Sequence, residues 1–476
     1  MWFDDSHVSF RLSSCCLHVV SVAEPTDSAG SSHHLSSKLP MAKSSVWTRE
    51  QIAAAKASGE IIIIYKGFVY NLSRFAAHHP GGLLALQHLN GKDATDAITA
   101  FHPKWVVDQK IHSFCVGRLA GYTVSKASKD YLELEALLRK KGYFEPTYWF
   151  YVREAVKIAV LWVLMISLIL RDGNHVSWVS AMASCLCGAV MWHQAAFVVH
   201  DAGHNGVTQD RIRDNTIGIF LADLVGGLSI GWWKDSHYVH HIVTNDPEHD
   251  PDIQLLPFFA LSTRFFDSIY SSYYKRQLHF DVPAKVLVRF QHLLYYVVLA
   301  FGRFNLYALS WSHLFKRGKI GFRGREIASM VIFWSWYGWL LSHLPSWFMI
   351  ATYILLGNMA TCLLHVQITL SHYGMPTDVY PDEDFAVKGL RTTMNVDCPW
   401  WVDWVHGGLQ FQVEHHLFPR LPRHNLRKAR PFVKEYAKRN GLEYHEYGFA
   451  AGNVVVLGLL KLVAQQVPSP FSSKNA

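Results

Sequence analysis

The chain alternates long apolar stretches with polar ones. Phe150–Leu170 is apolar with its few charges near the start, and Val176–Val199 carries no Asp, Glu, Lys or Arg. Ile327–Thr377 again lacks all four residue types, which leaves room for two spans of about 20 residues each. Leu344-Pro345-Ser346 supplies the break between them. The pattern predicts four membrane helices in two hairpins. Asn215–Trp233, with Asp223 and interior glycines, and Val286–His313, with Arg289 and Arg303, are apolar but interrupted. Both read as interfacial or re-entrant helices. Ahead of the spans, the alternation in Ile61–Tyr65 and Gly67–Tyr70 predicts a compact soluble module over 44–122. A charged connector follows over 123–148, with one helical pattern at Tyr131–Lys141. Residues 1–43 are rich in Ser and His and read as a disordered leader, with Met41 a candidate start. Residues 451–476 read as a C-terminal tail.

Composition agrees with a chain that is part soluble and part embedded: 50% of its 476 residues are hydrophobic and 17% charged. The net charge is +8, and its basic residues cluster in Phe315–Arg325 (FKRGKIGFRGR) and Arg420–Arg439. Basic clusters beside apolar spans mark the cytosolic face of a membrane and its anionic headgroups. No nucleic-acid recognition motif accompanies them, so a nucleic-acid partner is not expected. The seven cysteines form no Cys-x-x-Cys pair or framework spacing and read as small core residues of a reducing compartment.

The 28 histidines are concentrated in a few places. In the soluble module, His78-His79-Pro80-Gly81-Gly82 is followed by Lys92-Asp93-Ala94-Thr95-Asp96 and Ala100-Phe101-His102-Pro103. An electron-transfer haem takes two axial ligands and leaves no vacant site, a need that two neutral imidazoles meet. The proline and glycines make a tight turn that lets backbone pass close to a flat macrocycle. Residues 44–122 resemble cytochrome b5. That resemblance implies haem b with His79 and His102 as axial ligands, and places His78 beside the motif, facing solvent.

Three further clusters lie around the apolar spans. His200-Asp201-Ala202-Gly203-His204 closes the second span, and its i, i+4 histidines share one helical face. His237-Tyr238-Val239-His240-His241 pairs i with i+3 and adds a neighbour, and Gln412-Val413-Glu414-His415-His416 has the same spacing with Gln first. One such cluster alone reads as an exposed pair of histidines. Three, each on the same side of the predicted spans, exceed what one tetrahedral zinc can use and suit iron. The clusters resemble the membrane fatty-acyl desaturase and hydroxylase superfamily over residues 148–450, with the domain itself placed at 149–450. The resemblance implies two non-haem irons held by His200, His204, His237, His240, His241, His415 and His416. It also implies a histidine at the end of the fourth span, where His372 is the choice and His365 the fallback. Gln412, where His is commoner, either binds weakly or holds a water through its amide. With a fused haem domain it marks the front-end desaturases. The implied fold is multidomain: a small α+β haem domain, then an all-α four-helix transmembrane desaturase domain with a cytosolic histidine-rich cap.

Asp201, Asp235, Thr244, Asn245, Asp250, Asn395 and Asp397 flank the clusters; each is either an imidazole-orienting partner or a helix cap or loop solvator. His193 reads as a packing residue. Trp232, Trp233, Trp400, Trp401 and Trp404 read as interfacial anchors. An unactivated methylene has no acidic proton, so its oxidation needs an oxidising metal centre in a dry channel. The family resemblance implies that two irons activate O2 and that NADH-dependent cytochrome b5 reductase replenishes the haem. The run Trp404–His424, with Asn395-Val-Asp397 upstream, resembles the Δ8-sphingolipid desaturases of the fungal type, which act on the long-chain base of a ceramide. An acyl-lipid front-end desaturase of Δ6 or Δ5 regiochemistry is the rival, and a hydroxylase would use the same clusters. A membrane haem electron carrier would leave the three clusters unexplained, and a transporter would want ionisable residues within its spans. The expected location is the endoplasmic reticulum membrane, multi-pass, with haem module and clusters cytosolic.

Overall fold

The computed structural model describes residues 45–468 apart from 174, 317 and 319. The expected leader and the candidate start at Met41 lie outside the described residues. The haem-type module is built on four strands, β1 (Val46–Trp47), β2 (Ile62–Tyr65), β3 (Phe68–Asn71) and β4 (Cys115–Leu119), in the order β1-β4-β3-β2. β1 runs parallel to β4 and the other pairs are antiparallel. Lys66 and Gly67, both at positive φ, close the β2–β3 hairpin in two residues. Both faces of the sheet are covered, which is why the isoleucine run is unbroken: Ile61 and Ile63 join Leu86 and Ile98, whereas Ile62 and Ile64 join Ile52 and Leu119. Around the sheet lie α1 (Arg49–Ala57), α2 (Leu83–His88), α3 (Thr95–Phe101) and α4 (Lys104–Gln109).

The connector is not free chain. Its helix α5 (Lys126–Lys140), capped by Ser125, buries Tyr131, Leu134 and Leu138 in one core with Val413, Phe418 and Val433. Ser128 Oγ also donates to Asp96 of α3 at 2.5 Å, so α5 ties the small module to the helical body.

Next come α6 (Tyr148–Leu170) and α7 (Trp178–Gly203), an antiparallel hairpin in which a Cβ at Gly188 would come within 2.8 Å of Met165 Sδ. α8 (Arg211–Gly218) widens into a π-type turn over Ile219–Val225, and α9 (Ile230–Val243) leaves it at 117°. α10 (Val282–Arg289) leads to α11 (Gln291–Ala300) and α12 (Gly302–Leu314), bent by 64°. The two interrupted apolar stretches are thus bent pairs, and their tips meet where Arg303 Nη2 donates to the Gly226 carbonyl at 2.5 Å. α13 (Arg323–Ser342) is followed by α14 (Trp347–Met359) and α15 (Cys362–Tyr373); Ser346 in the expected break caps α14. Among the described residues, two segments are long and apolar enough to cross a membrane, Trp178–Gly203 and Trp347–Tyr373. α6 and α13 have 23 and 20 residues, but carry Arg153, Glu154 and Lys157, and Arg323, Arg325 and Glu326, at their starts.

The rest caps one end of the bundle: α16 (Phe385–Arg391), α17 (Asp403–His406), α18 (Gln412–Leu417) and α19 (Arg423–Arg439), with a hairpin β5–β6 (Ile269–Ser271, Arg276–Leu278) and a parallel pair β7–β8 (Asn395–Asp397, Glu446–Gly448). Residues 449–465, placed largely in the tail by the sequence reading, form α20 (Phe449–Gln465), whose Val456 and Leu460 are fully buried against α11 and α15.

One buried ion-pair network locks the cap to the bundle. Arg423 of α19 lies 3.1 Å from Asp201 of α7 and 3.2 Å from Glu154 of α6, and Tyr151 donates to Asp201 at 2.9 Å. Removing one partner of such a network strands the other's charge, at a cost of about 3–5 kcal/mol. Arg423→Ala is therefore expected to lower the thermal unfolding midpoint of the purified protein clearly. Exposed Arg153→Ala, a neighbour of Glu154, should leave it nearly unchanged.

Candidate metal centre

In the small module, the rings of His79 and His102 face each other with centroids 6.0 Å apart. The His79 Nδ1 is hydrogen-bonded to the Gly82 carbonyl at 3.1 Å, and that of His102 to the Ile98 carbonyl at 3.2 Å. Both Nδ1 atoms therefore carry their protons and both Nε2 lone pairs are left for a metal. Burial pushes His102 down to about 4 and lowers His79 as well, which keeps the rings neutral and able to ligate. A Cβ at Gly81 would come within 2.9 Å of His79 Cε1, and Gly82 adopts φ 85°. The two glycines are thus needed by the ring of His79 and by the turn that supplies its carbonyl. His78 is exposed. The pair fits a bis-imidazole haem iron.

The three distant histidine clusters converge at the end of the bundle. α7 delivers His200 and, just beyond its last turn, His204; α9 delivers His237, His240 and His241; α18 delivers His415 and His416; α15 delivers His372. Their nitrogens fall into two groups, His200 with His204, His237 and His415, and His240 with His372 and His416, each within 4.8 Å. His241 lies between them, stacked on His416 at 4.2 Å, with Nε2 3.1 Å from the Nε2 atoms of both His237 and His415. Of the two histidines on α15, His372 is the one in this cluster, 4.6 Å from the ring of His240. His365 lies two turns earlier, about 10 Å along the helix. Gln412 lines the cavity beside the clusters.

Several ring nitrogens here are buried with no partner among the described residues, including both of His204, Nδ1 of His372 and Nε2 of His416. Such lone pairs are costly in a protein interior unless something binds them, and two groups of imidazoles suit two metal ions.

Carboxylates and amides fix these rings. Asp250, fully buried, accepts from His240 Nδ1 at 2.9 Å, and is itself held by the N–H groups of Asn245 and Asp252. That hydrogen bond selects the tautomer whose Nε2 ligates. Thr244 Oγ1 lies 3.4 Å from His416 Nδ1, and Asn245 donates to the His372 carbonyl at 2.9 Å. Asn395 donates to Glu414 and accepts from Val413 N–H, clamping α18, while Tyr444 donates to Glu414 at 2.5 Å. Burial pushes the Glu414 carboxyl above its ordinary range, although both donors pull it back. Asp201, by contrast, points to Arg423, Asp235 meets the Tyr273 hydroxyl, and Asp397 pairs with Arg430. The sequence reading missed Asp252, which lies 3.7 Å from the Nδ1 atoms of both His237 and His240, as well as Glu414 and Tyr444. The acidic run after the second cluster was the available signal for Asp252.

Two tryptophans correct the expectation made for them. Trp400, Trp401 and Trp404 are exposed, but Trp232 and Trp233 line the central cavity, and Trp233 stacks on His237 at 4.3 Å. That contact explains the glycine of the first cluster, because a Cβ at Gly203 would lie 2.0 Å from the Trp233 ring. His193 does pack, hydrogen-bonded to Gln367 at 3.1 Å.

Residues 176–448 match the family model described as fatty acid desaturase, and residues 48–120 the one described as cytochrome b5-like heme/steroid binding domain. This chain belongs to the fatty acid desaturase family. It is 37% identical to the Delta 8-(E)-sphingolipid desaturase of Komagataella phaffii, across 89% of this chain and 94% of that protein. It is 35% identical to the Emericella nidulans protein of the same description, across 89% and 95%. A Delta(8)-fatty-acid desaturase 1 of Arabidopsis thaliana is 35% identical, across 88% and 93%. The desaturase is thus a lipid-oxidising enzyme with its cytochrome b5-like domain ahead of a mostly helical body containing apolar helices.

The haem module lies directly over the metal centre. Phe101, next to His102, has its ring 5.9 Å from that of His241 and 6.3 Å from that of Tyr238, and His88 meets His249 at 4.7 Å. Two substitutions test how the desaturase builds its centre. Asp250→Asn is expected to lower bound non-haem iron about 10-fold or more, and Gly203→Ala to lower it by displacing Trp233 and α9. Both should leave the haem absorbance intact, as checked by elemental analysis beside the visible spectrum.

Proposed function

We propose that this protein is an O2-dependent desaturase that places a double bond, at Δ8, in the long-chain base of a sphingolipid. The observation that carries the reading is the convergence of eight imidazoles into one cluster, four of them (His200, His237, His240 and His372) lining a cavity, beneath a bis-histidine module. The similarity to Δ8-(E)-sphingolipid desaturases over nearly the whole chain supports the substrate. Two irons would be held by His200, His204, His237 and His415, and by His240, His372 and His416, with His241 between the two sets and Gln412 at the cavity edge. Bound there, they supply the oxidising chemistry that an unactivated methylene requires. Haem b, held by His79 and His102, would supply single electrons, with an NADH-dependent cytochrome b5 reductase as its donor.

The chain's own residues do the rest. Asp250 and Asp252 keep the α9 imidazoles in ligating orientation. The apolar walls exclude water from the cavity. Phe101, which touches both the haem-ligand turn and His241, holds the two centres close. Domain limits follow the sequence reading for the haem domain (44–122) and the connector (123–148), while the desaturase domain starts at 149 and runs on through α20, whose Val456 and Leu460 belong to its core. α6, α7, α13 and the α14–α15 pair would be four spans, with the histidine cap and haem module on the cytosolic face of the endoplasmic reticulum. The basic clusters and the even number of spans between chemical elements support this topology.

A host lacking sphingolipid desaturation tests the activity. Expression of the chain is expected to give long-chain bases with a new Δ8 double bond, located by mass spectrometry, and His240→Ala to give none. New acyl unsaturation with unchanged bases would reassign the substrate to acyl lipids. Phe101→Ala is expected to leave haem binding intact yet slow reoxidation of the reduced haem under O2 with substrate, measured by stopped-flow absorbance; an unchanged rate would remove Phe101 from the contact between centres.

A further inference from the structure

The central cavity, of about 180 Å³, does not end in apolar surface. At one end are His200, His237, His240 and His372; away from them along α7 and α15 are Trp192 and His365. The separation is eight residues on α7 and seven on α15, about 10–12 Å at 1.5 Å per residue. Between these levels the lining is mostly apolar, with Ala195, Ala196 and Ile368, and its one hydroxyl on α15, Thr369, is already bonded to the His365 carbonyl and to Tyr295. At the deeper level stands Arg303, 3% exposed, at the tip of the α11–α12 pair. Its guanidinium lies 4.2 Å over the Trp192 ring, and it donates to Tyr307 Oη at 3.0 Å and to the Gly226 carbonyl.

Three features mark this place as built for a ligand. Arg303 has no carboxylate partner among the described residues, and its Nη1 makes no hydrogen bond there. His365 Nε2 is buried without a partner among the described residues. Gly302 gives that imidazole its place, since a Cβ there would come within 2.9 Å of His365 Cδ2. A charge at membrane depth is costly, and in such proteins it faces a substrate path or a partner. Bare donors left over in an otherwise apolar cavity fit a lipid oxygen.

We infer that Arg303 and His365 form a polar subsite that binds the hydroxyl or amide oxygens at the polar end of a ceramide's long-chain base. This rests on the sphingolipid reading above. Several methylenes separate those oxygens from carbons 8 and 9 of the base, in keeping with the span between the subsite and the histidine clusters. The subsite therefore acts as a ruler: anchoring the oxygens sets which carbons lie beside the metal centre. His365 and Arg303 are specificity-determining residues, outside the ligand set.

The test compares ceramide with an analogue lacking the hydroxyl on carbon 1, and one lacking that on carbon 3, using the purified full-length protein carrying haem and iron. Binding is read by displacement of a fluorescent ceramide, and turnover by KM, kcat and double-bond position. Loss of a hydrogen bond to a charged or buried donor should weaken binding of at least one analogue about 10-fold or more. His365→Leu should bind ceramide about 10-fold more weakly and lose that discrimination, with double bonds spread to neighbouring carbons. His365→Gln, which keeps a donor, should restore both in part, and haem and iron contents should match the parent protein. Equal binding of ceramide and both analogues by the parent protein would overturn the subsite, as would unchanged discrimination and position in His365→Leu. If the parent protein leaves long-chain bases untouched and desaturates acyl chains, the substrate reading fails first. Δ8 bases formed without discrimination would remove the subsite alone.

Discussion

The structure depends on keeping a crowd of neutral imidazoles together where most of them are buried. Seven histidines fall into two groups with nitrogens a few ångströms apart, His241 bridges them, and several of these nitrogens have no partner among the described residues. Neutral rings stacked this densely gain little from each other, and each buried lone pair carries a desolvation cost. The arrangement makes physical sense as a receptacle for cations. Much of the surrounding chain exists to hold it: Asp250 fixes His240, Asn245 ties α9 to α15, and Asn395 with Tyr444 pins Glu414 in the middle of the third cluster.

The same demand explains the more distant buried charges. Arg423, Asp201 and Glu154 form a network that joins α19 to the first hairpin just outside the first cluster. The aspartate between the two histidines of the first cluster therefore has a role of its own, pairing with Arg423. Gly203 has another, because α9 approaches closely enough for Trp233 to occupy the space of any side chain there. In the pentapeptide from His200 to His204, the two ends join the histidine cluster, while Asp201 and Gly203 set how neighbouring helices approach it.

The haem-type module is joined to this body on more than one side. α5 packs into the core beneath the third cluster and reaches Asp96, while Phe101 sits against His241 and Tyr238. A connector of 26 residues, 123–148, could have allowed a mobile tether. Its buried Tyr131, Leu134 and Leu138 make it a fixed strut instead.

Local patterns carried much of this. The isoleucine alternation, the His-Pro-Gly-Gly turn, the apolar spans and the three histidine spacings are each short-range, and short-range features follow from helix and strand periodicity. They gave the order of domains, the facing pair His79 and His102, and the histidines that meet in the cluster. What the sequence could not decide is which groups meet across long separations. It could not say that Trp233 stacks on His237 instead of facing lipid, that α20 belongs to the core, or that Asp252 and Tyr444 reach the clusters. Those outcomes depend on how helices hundreds of residues apart cross and how deep each turn sits. Side-chain reach and interhelical packing set that geometry, and no local pattern records it.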